Sequence, residues 1–140
     1  MKINTKIRYG LRMLVLLAES GVVMSTANLG KQMQVSPKYL RKLAGPMERH
    51  ELIKSVQGIY GGYAINKQPA EITLSSIFTA FEENINITGC SSKNGCPLSV
   101  DCLTKPVWSH LEQLIAKEFH HISIQMILDQ QFAIPALVAE

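Results

Sequence analysis

Cys90, Cys96 and Cys102 are the three cysteines of the chain, at C-x5-C-x5-C spacing inside one stretch rich in glycine, proline, serine and asparagine. Those residue types break regular structure, and the stretch has no apolar period of about 2 or 3.6, so it reads as an irregular loop that can turn its sulfurs inward. A structureless connection of roughly a dozen residues or more is uncommon in a small domain and usually marks function or disorder. Three thiolates are soft ligands, suited to zinc or to an iron-sulfur cluster once a fourth ligand comes from elsewhere. A metal or cluster site is the preferred reading. Metal-free redox thiols are the alternative, and the bland readings are three idle thiols or one disulfide with a spare sulfur.

Little else in the sequence looks like chemistry. His110, His120 and His121 lie on a late helix and are read as surface or packing residues. The Gly58, Gly61 and Gly62 cluster lacks the spacing and the strand-then-helix context of a phosphate-cradling loop. No Ser/His/Asp set or carboxylate pair stands in a supporting context, so an enzyme is not expected. The odd cysteine count argues against a disulfide framework and fits a reducing, cytoplasmic setting. Met13 to Ala18 is a short apolar run bracketed by Arg12 and Glu19, expected to be a core helix rather than a leader, and no stretch is expected to span a membrane.

The 140 residues fit one domain, and a net charge of +3 hides an asymmetry. Residues 1–67 carry eleven Lys/Arg against three Glu, a formal +8, whereas the remainder carries three against eight, a formal −5. A basic first half joined to an acidic second half suggests a polyanion partner for the former, although a solvated basic face would look the same.

The elements that must position these groups follow in order. Thr5 to Ser20 places Ile7, Leu11, Leu14 and Ala18 on one helical face, with Gly21 as the C-cap residue. Ser25 or Thr26 caps a short second helix to Met33 through Ala27 and Leu29, and Ser36-Pro37 starts a third. Leu40, Leu43 and Met47 form its buried stripe, leaving Lys38, Tyr39, Arg41 and Lys42 outward. Two short helices joined by Gln34-Val35 predict a helix-turn-helix whose second helix enters a major groove. Pro46 is expected to kink or break that helix.

Leu52 to Val56 and Tyr63 to Ile65 read as strands around a glycine-rich turn, which together with the preceding helix predicts a winged helix. Thr73 caps a helix bearing Leu74, Ile77, Phe78 and Phe81, ending near Glu83. After the cysteine loop, Pro106 opens a long helix to about His121 with a stripe of Trp108, Leu111, Ile115, Phe119 and Ile122. That stripe packs either on its own domain or on a partner, for which a second copy is the economical choice. Ser123 to Gln130 predicts one more short helix. The expected organisation is a winged-helix domain over 1–83, a cysteine loop over 84–104, and a dimerisation helix with the C-terminal segment over 105–140, forming one compact unit.

The order of elements and several strings together resemble the Rrf-type bacterial transcription regulators, the family of IscR-, NsrR- and RirA-like proteins. The strings are Lys6-Ile7-Arg8-Tyr9, Val35-Ser36-Pro37-Lys38-Tyr39-Leu40, Gly61-Gly62-Tyr63, Cys90-x5-Cys96-x5-Cys102 and Val107-Trp108. The resemblance implies a mainly α, winged helix-turn-helix fold with a small β-hairpin, a homodimer crossed through the long late helix, and a double-stranded operator as partner. It also implies an iron-sulfur cluster, 2Fe-2S or 4Fe-4S, bound by Cys90, Cys96 and Cys102 and controlling a repressor. DNA contacts would come from Ser36, Lys38, Tyr39, Arg41, Lys42, Gln57 and Tyr60.

Three departures from the family pattern stand out. IscR-like members place a histidine ligand where this chain has Lys105, and NsrR-like members an aspartate from the other subunit where it has Arg8. The fourth ligand then falls to a residue such as Glu19 or His110, to a small molecule or to water. In the wing, Gln57 replaces the arginine that many relatives insert in the minor groove, with Ile59-Tyr60 beside it. Two further readings remain at this point: a cluster-free thiol-redox DNA-binding regulator, and a metal-binding module acting by protein-protein contact.

Overall fold

The computed structural model describes residues 2–90 and 94–132, so part of the cysteine loop, Ser91 to Lys93, and the tail after Phe132 lie outside the described residues. Helix α1 spans Thr5–Ser20, α2 Thr26–Met33 and α3 Pro37–Arg49. An antiparallel hairpin of β1 (Ile53–Val56) and β2 (Gly62–Ile65) follows, with Ile53 opposite Ile65 and Val56 opposite Gly62. A 3-10 turn at Pro69–Glu71 leads into α4, Leu74–Ala80. The cysteine segment then connects to the long α5, Lys105–His121, and to α6, Ile124–Leu128. This is the mainly helical winged-helix architecture with a long late helix that the sequence predicts.

The helices start where short polar side chains can satisfy their first amides. Asn4, Ser25, Ser36, Thr73 and Ser123 each accept a hydrogen bond from a backbone N–H of the first turn. Gly21, at φ 66°, ends α1 by donating its amide to the Leu17 carbonyl. The C-terminal segment closes on the winged part through its backbone: Leu74 donates to the Ile122 carbonyl at 3.0 Å and Ile124 to the Ile72 carbonyl at 2.9 Å.

The core forms around α1, which packs against α2, α3, α4, α6 and β2. Its buried face runs through Ile7, Gly10, Met13, Leu14 and Leu17, while Leu11 and Ala18, expected on that face, are half-buried. The face is rotated from the expected one because α3 and α4 press against Gly10, where a Cβ would meet the Phe81 ring and the Met47 sulfur. Full burial of each Leu or Met contributes roughly 1.5–3 kcal/mol.

Helix α6 ends at Leu128 rather than at Gln130, and two further boundaries differ in ways that packing explains. Helix α3 continues through Pro46 to Arg49. Leu40, Leu43 and Ala44 before the proline, and Met47 after it, are all buried on one face, and that packing outweighs the lost amide bond. Gly45 has no Cβ to meet the proline ring, which relieves the usual pre-proline clash. Helix α4 ends at Ala80 rather than near Glu83, because Glu82 takes a left-handed conformation at φ 56° and Glu83 donates back to the Phe78 carbonyl at 2.9 Å. The apolar run Met13 to Ala18 lies within α1, and among the described residues no helix is long and apolar enough to cross a membrane.

Candidate nucleic-acid interface and cysteine loop

The α2–α3 turn is tight. Gln34 adopts a left-handed conformation at φ 55°, and the Val35 amide donates to the Gly30 carbonyl at 3.0 Å. Ser36 then caps α3 by accepting from the Tyr39 amide at 3.1 Å, so this side chain is committed to the helix start. With Leu40, Leu43, Ala44 and Met47 buried, α3 presents Lys38, Arg41 and Lys42 to solvent, and none of the three is ion-paired among the described residues. Phosphate would therefore meet cations that no carboxylate already neutralises.

Tyr39 departs from the expected outward position. It is half-buried, and its ring meets Tyr9 of α1 edge-on at 5.8 Å between centroids and 87° between planes. Arg12 in turn lies over the Tyr9 ring at 5.5 Å. This Arg12–Tyr9–Tyr39 stack fixes α3 against α1. Two cations that the sequence reading passed over stand close to Lys42: Lys6 from the start of α1 and Arg49, two turns along α3, share a recess with it and with Glu82. The seven-residue step from Lys42 to Arg49 was a readable signal, whereas the approach of Lys6 depends on tertiary packing.

The wing is anchored on both sides. Met24 and Tyr63 exchange two backbone hydrogen bonds at 2.9 Å each, and any Cβ on Gly62 would collide with the Met24 carbonyl. On the other side Ser55 donates its hydroxyl to Glu48 of α3 at 2.7 Å. Tyr63 has its phenol pKa raised by burial and by Glu48, partly offset by Arg41. The hairpin tip is left free: Gln57 is exposed, and Ile59 and Tyr60 are 93% and 90% exposed. The wing and α3 are thus held as one body, with Gln57 and Tyr60 at its rim.

The cysteine segment contains turns but no helix or strand among its described residues. Gly89 at φ 78° and Gly95 at φ 43° supply left-handed turns. Cys90 and Cys102 are half-buried, Cys96 is exposed, and all three are free thiols. Among the described residues no group of three or more His, Cys, Asp or Glu is already gathered to hold a metal ion. The donors nevertheless suit a soft centre: they are thiols within one segment of turns, and none is locked in a disulfide. The segment is tied to α5 by the Ile87 amide, which donates to Glu112 at 2.9 Å.

Cys102 stands immediately before α5, its sulfur 3.2 Å from the Thr104 hydroxyl. Its thiol pKa is lowered, first by the Thr104 side chain and then by the Thr104 and Lys105 backbone amides, against an opposing effect of burial that exceeds the small contribution of the Lys105 charge. Lys105, the first residue of α5, therefore favours the thiolate of its neighbour. Arg8, Glu19 and His110 are exposed.

Helix α5 contributes no fully buried residue. Phe119 packs on Phe78 of α4 at 4.9 Å between ring centroids, and Trp108, Ile115 and Ile122 are half-buried. Val107, Leu111 and Leu114 remain exposed at helical spacing, so the expected stripe is divided between its own domain and solvent.

Comparison with known proteins agrees with this geometry. The sequence profile of the Rrf2 family, described as iron-dependent transcriptional regulators, matches residues 3–130. A candidate HTH-type transcriptional regulator of Neisseria meningitidis serogroup A is 30% identical over 94% of this chain and 90% of its own length. The transcriptional regulator IscR of Serratia proteamaculans is 28% identical over 94% of this chain and 81% of its own length. The crystal structure of Staphylococcus aureus CymR in its oxidized form superposes with a TM-score of 0.70 at 26% identity, covering 91% of this chain and 95% of that one. The chain belongs to the Rrf2 family of transcriptional regulators, DNA-binding proteins of the winged-helix type rather than enzymes.

Proposed function

We propose that this regulator is a homodimeric repressor whose operator affinity is set by an iron-sulfur cluster held through Cys90, Cys96 and Cys102. The observation that carries the reading is that one chain combines an α3 basic face, without an ion pair among the described residues, with a three-thiol segment hydrogen-bonded to α5. Lys38, Arg41 and Lys42 meet the major groove and its phosphates, with Ser36 fixing the helix start and Tyr39 its orientation. Gln57 and Tyr60 reach the adjacent groove from the wing tip. The exposed Val107, Leu111 and Leu114 face of α5 meets the same face of a second copy, which sets two α3 helices over half-sites about 34–36 Å apart.

Three cysteine thiolates would hold the cluster, and bound there it supplies a redox-active, ligand-exchanging iron centre. The protein's part is to fold the 84–104 segment against α5 in one arrangement with the sulfurs engaged and in another without them. That difference reaches the DNA because α5 sets the spacing between the two reading helices. A coupling of about 1–3 kcal/mol corresponds to an affinity change of roughly 5- to 150-fold. Anaerobic isolation with iron and sulfide counting, followed by operator binding with and without the cluster, tests the reading. Absence of iron from oxygen-free material, or equal affinity of the two forms, would sink it.

A second reading keeps the DNA binding and replaces the cluster by disulfide chemistry. It is favoured by thiols that are all free and not gathered into a metal-holding group among the described residues. In it two thiols join as a disulfide and give two electrons and two protons to hydrogen peroxide, whose O–O bond breaks to leave two water molecules. Mass spectrometry of native, anaerobically purified protein separates the two: metal-free reduced thiols support this one.

A further inference from the structure

A second polar recess lies apart from both the cysteine segment and the α3 reading face. With a volume of about 290 Å³ it gathers four segments distant in sequence: His50 at the end of α3, Lys67 just after β2, Ser75 on α4 and His120 at the end of α5, with buried Leu52 in its wall. The other three lining residues carry hydroxyls, and none of the eight is acidic. That absence is informative, because this part of the fold draws on the acidic half of the chain, and neither Glu51 beside His50, nor Glu71, nor Glu118 lines the recess.

The donors are also unused. Among the described residues, the side chains of His50, Lys67, Ser75 and His120 make no hydrogen bond or ion pair within the protein. Imidazole can donate N–H in either protonation state, the ammonium carries three donors, and the serine hydroxyl adds one more. Donors lining one concave site, with no competing carboxylate among the described residues, are complementary to an anion rather than to a cation or an apolar group.

We propose that this recess binds a small oxyanion, a phosphate monoester or a dicarboxylate, through His50, Lys67, Ser75 and His120. Its volume of about 290 Å³ suffices for one phosphate or for two carboxylates on a short carbon chain. The bound anion would fasten the end of α3, which carries the reading face, to the end of α5. Occupancy and operator affinity are then linked reciprocally. Only this last consequence rests on the proposed regulator; the binding itself does not.

The test uses the intact protein without DNA. Histidine ring resonances are followed by NMR during titration with inorganic phosphate, glycerol 3-phosphate or succinate, at ionic strength held constant with chloride. The expected result is a saturable shift of the His50 and His120 signals, with a dissociation constant below about 1 mM for at least one of the three. Lys67→Ala and His120→Gln should each weaken that binding about tenfold, with unchanged circular dichroism. A response to the phosphates but not succinate assigns a phosphate ligand, and the converse assigns a dicarboxylate. No saturation by about 20 mM of any probe, or unaltered affinity in both variants, overturns the proposal. Because neither DNA nor iron enters the measurement, failure of the cluster reading leaves its outcome untouched.

Discussion

The winged half and the half built from the cysteine segment and α5 are held by different means. Among the described residues, every buried hydrophobic side chain but Ile124 lies between Ile7 and Ala80, whereas α5 contributes none. The first half therefore carries its own core. The second is joined to it by backbone hydrogen bonds and by Phe119 against Phe78, and leaves Cys96, Leu111 and Leu114 exposed. In the proposed regulator this contrast would separate the reading surface from the input region, since elements that move are drawn from the less stable end of a structure.

That contrast is sharpened most strongly by paired substitutions in the two halves. Leu17 is fully buried in α1, and Leu17→Ala is expected to lose about 2–5 kcal/mol of stability in urea unfolding through the lost burial and the cavity left behind. Leu114→Glu, on the exposed face of α5, should leave the unfolding midpoint of dilute protein within the equivalent of about 0.5 kcal/mol. It should instead halve the mass measured by light scattering at high concentration. A large loss of stability in the dilute Leu114→Glu protein would show that α5 belongs to the same core and would erase the distinction.

Charge reversal addresses the reading face directly. Arg41→Glu places a carboxylate against phosphate and should weaken operator binding by about 100-fold or more while leaving the melting temperature nearly unchanged. Fluorescence anisotropy at several salt concentrations checks this, and the slope of log affinity against log salt should fall by at least about one unit. Undiminished binding by that variant would remove α3 from the interface.

In the other half, Cys96→Ser should lower the iron and sulfide content of anaerobically purified protein to background and shift operator affinity by roughly 5- to 150-fold. Cys96 is the exposed member of the three, so serine there removes the thiol without opening a cavity. A variant that keeps the full iron content would transfer the site to other residues. One that loses iron but binds the operator as before would separate cluster from reading face.

Much of the helical framework was legible because its signals are local. Ser25, Ser36-Pro37, Thr73 and Ser123 mark helix starts by bonding to their own next turn, and Gly21 marks a stop through its left-handed φ. Where long-range packing overrules such signals, the reading fails. Pro46 sits inside α3 because buried residues on both sides hold it, and Tyr39 turns onto Tyr9 although its neighbours face solvent. Lys6 joins Lys42 and Arg49 only through the packing of α1 against α3. The three cysteines were visible as a set because one loop holds them, whereas a ligand from elsewhere in the fold or from a partner has no spacing to read. The recess at His50, Lys67 and His120 is hidden for the same reason.

The smallest expected effect lies where the two halves share a principle. Ser36 caps α3, and Ser36→Ala removes the oxygen that accepts from the Tyr39 amide. The cost should be about 1 kcal/mol of stability, because one first-turn amide is returned to water rather than buried. If Ser36 also meets a DNA phosphate, operator affinity should fall by more than the loss of folded protein explains. Ser36→Gly restores much of the cap preference without restoring the hydroxyl, at a cost of a few tenths of a kcal/mol. Comparing the two variants separates the roles: equal affinity loss in both points to the hydroxyl on DNA, and a loss confined to alanine points to the helix start alone.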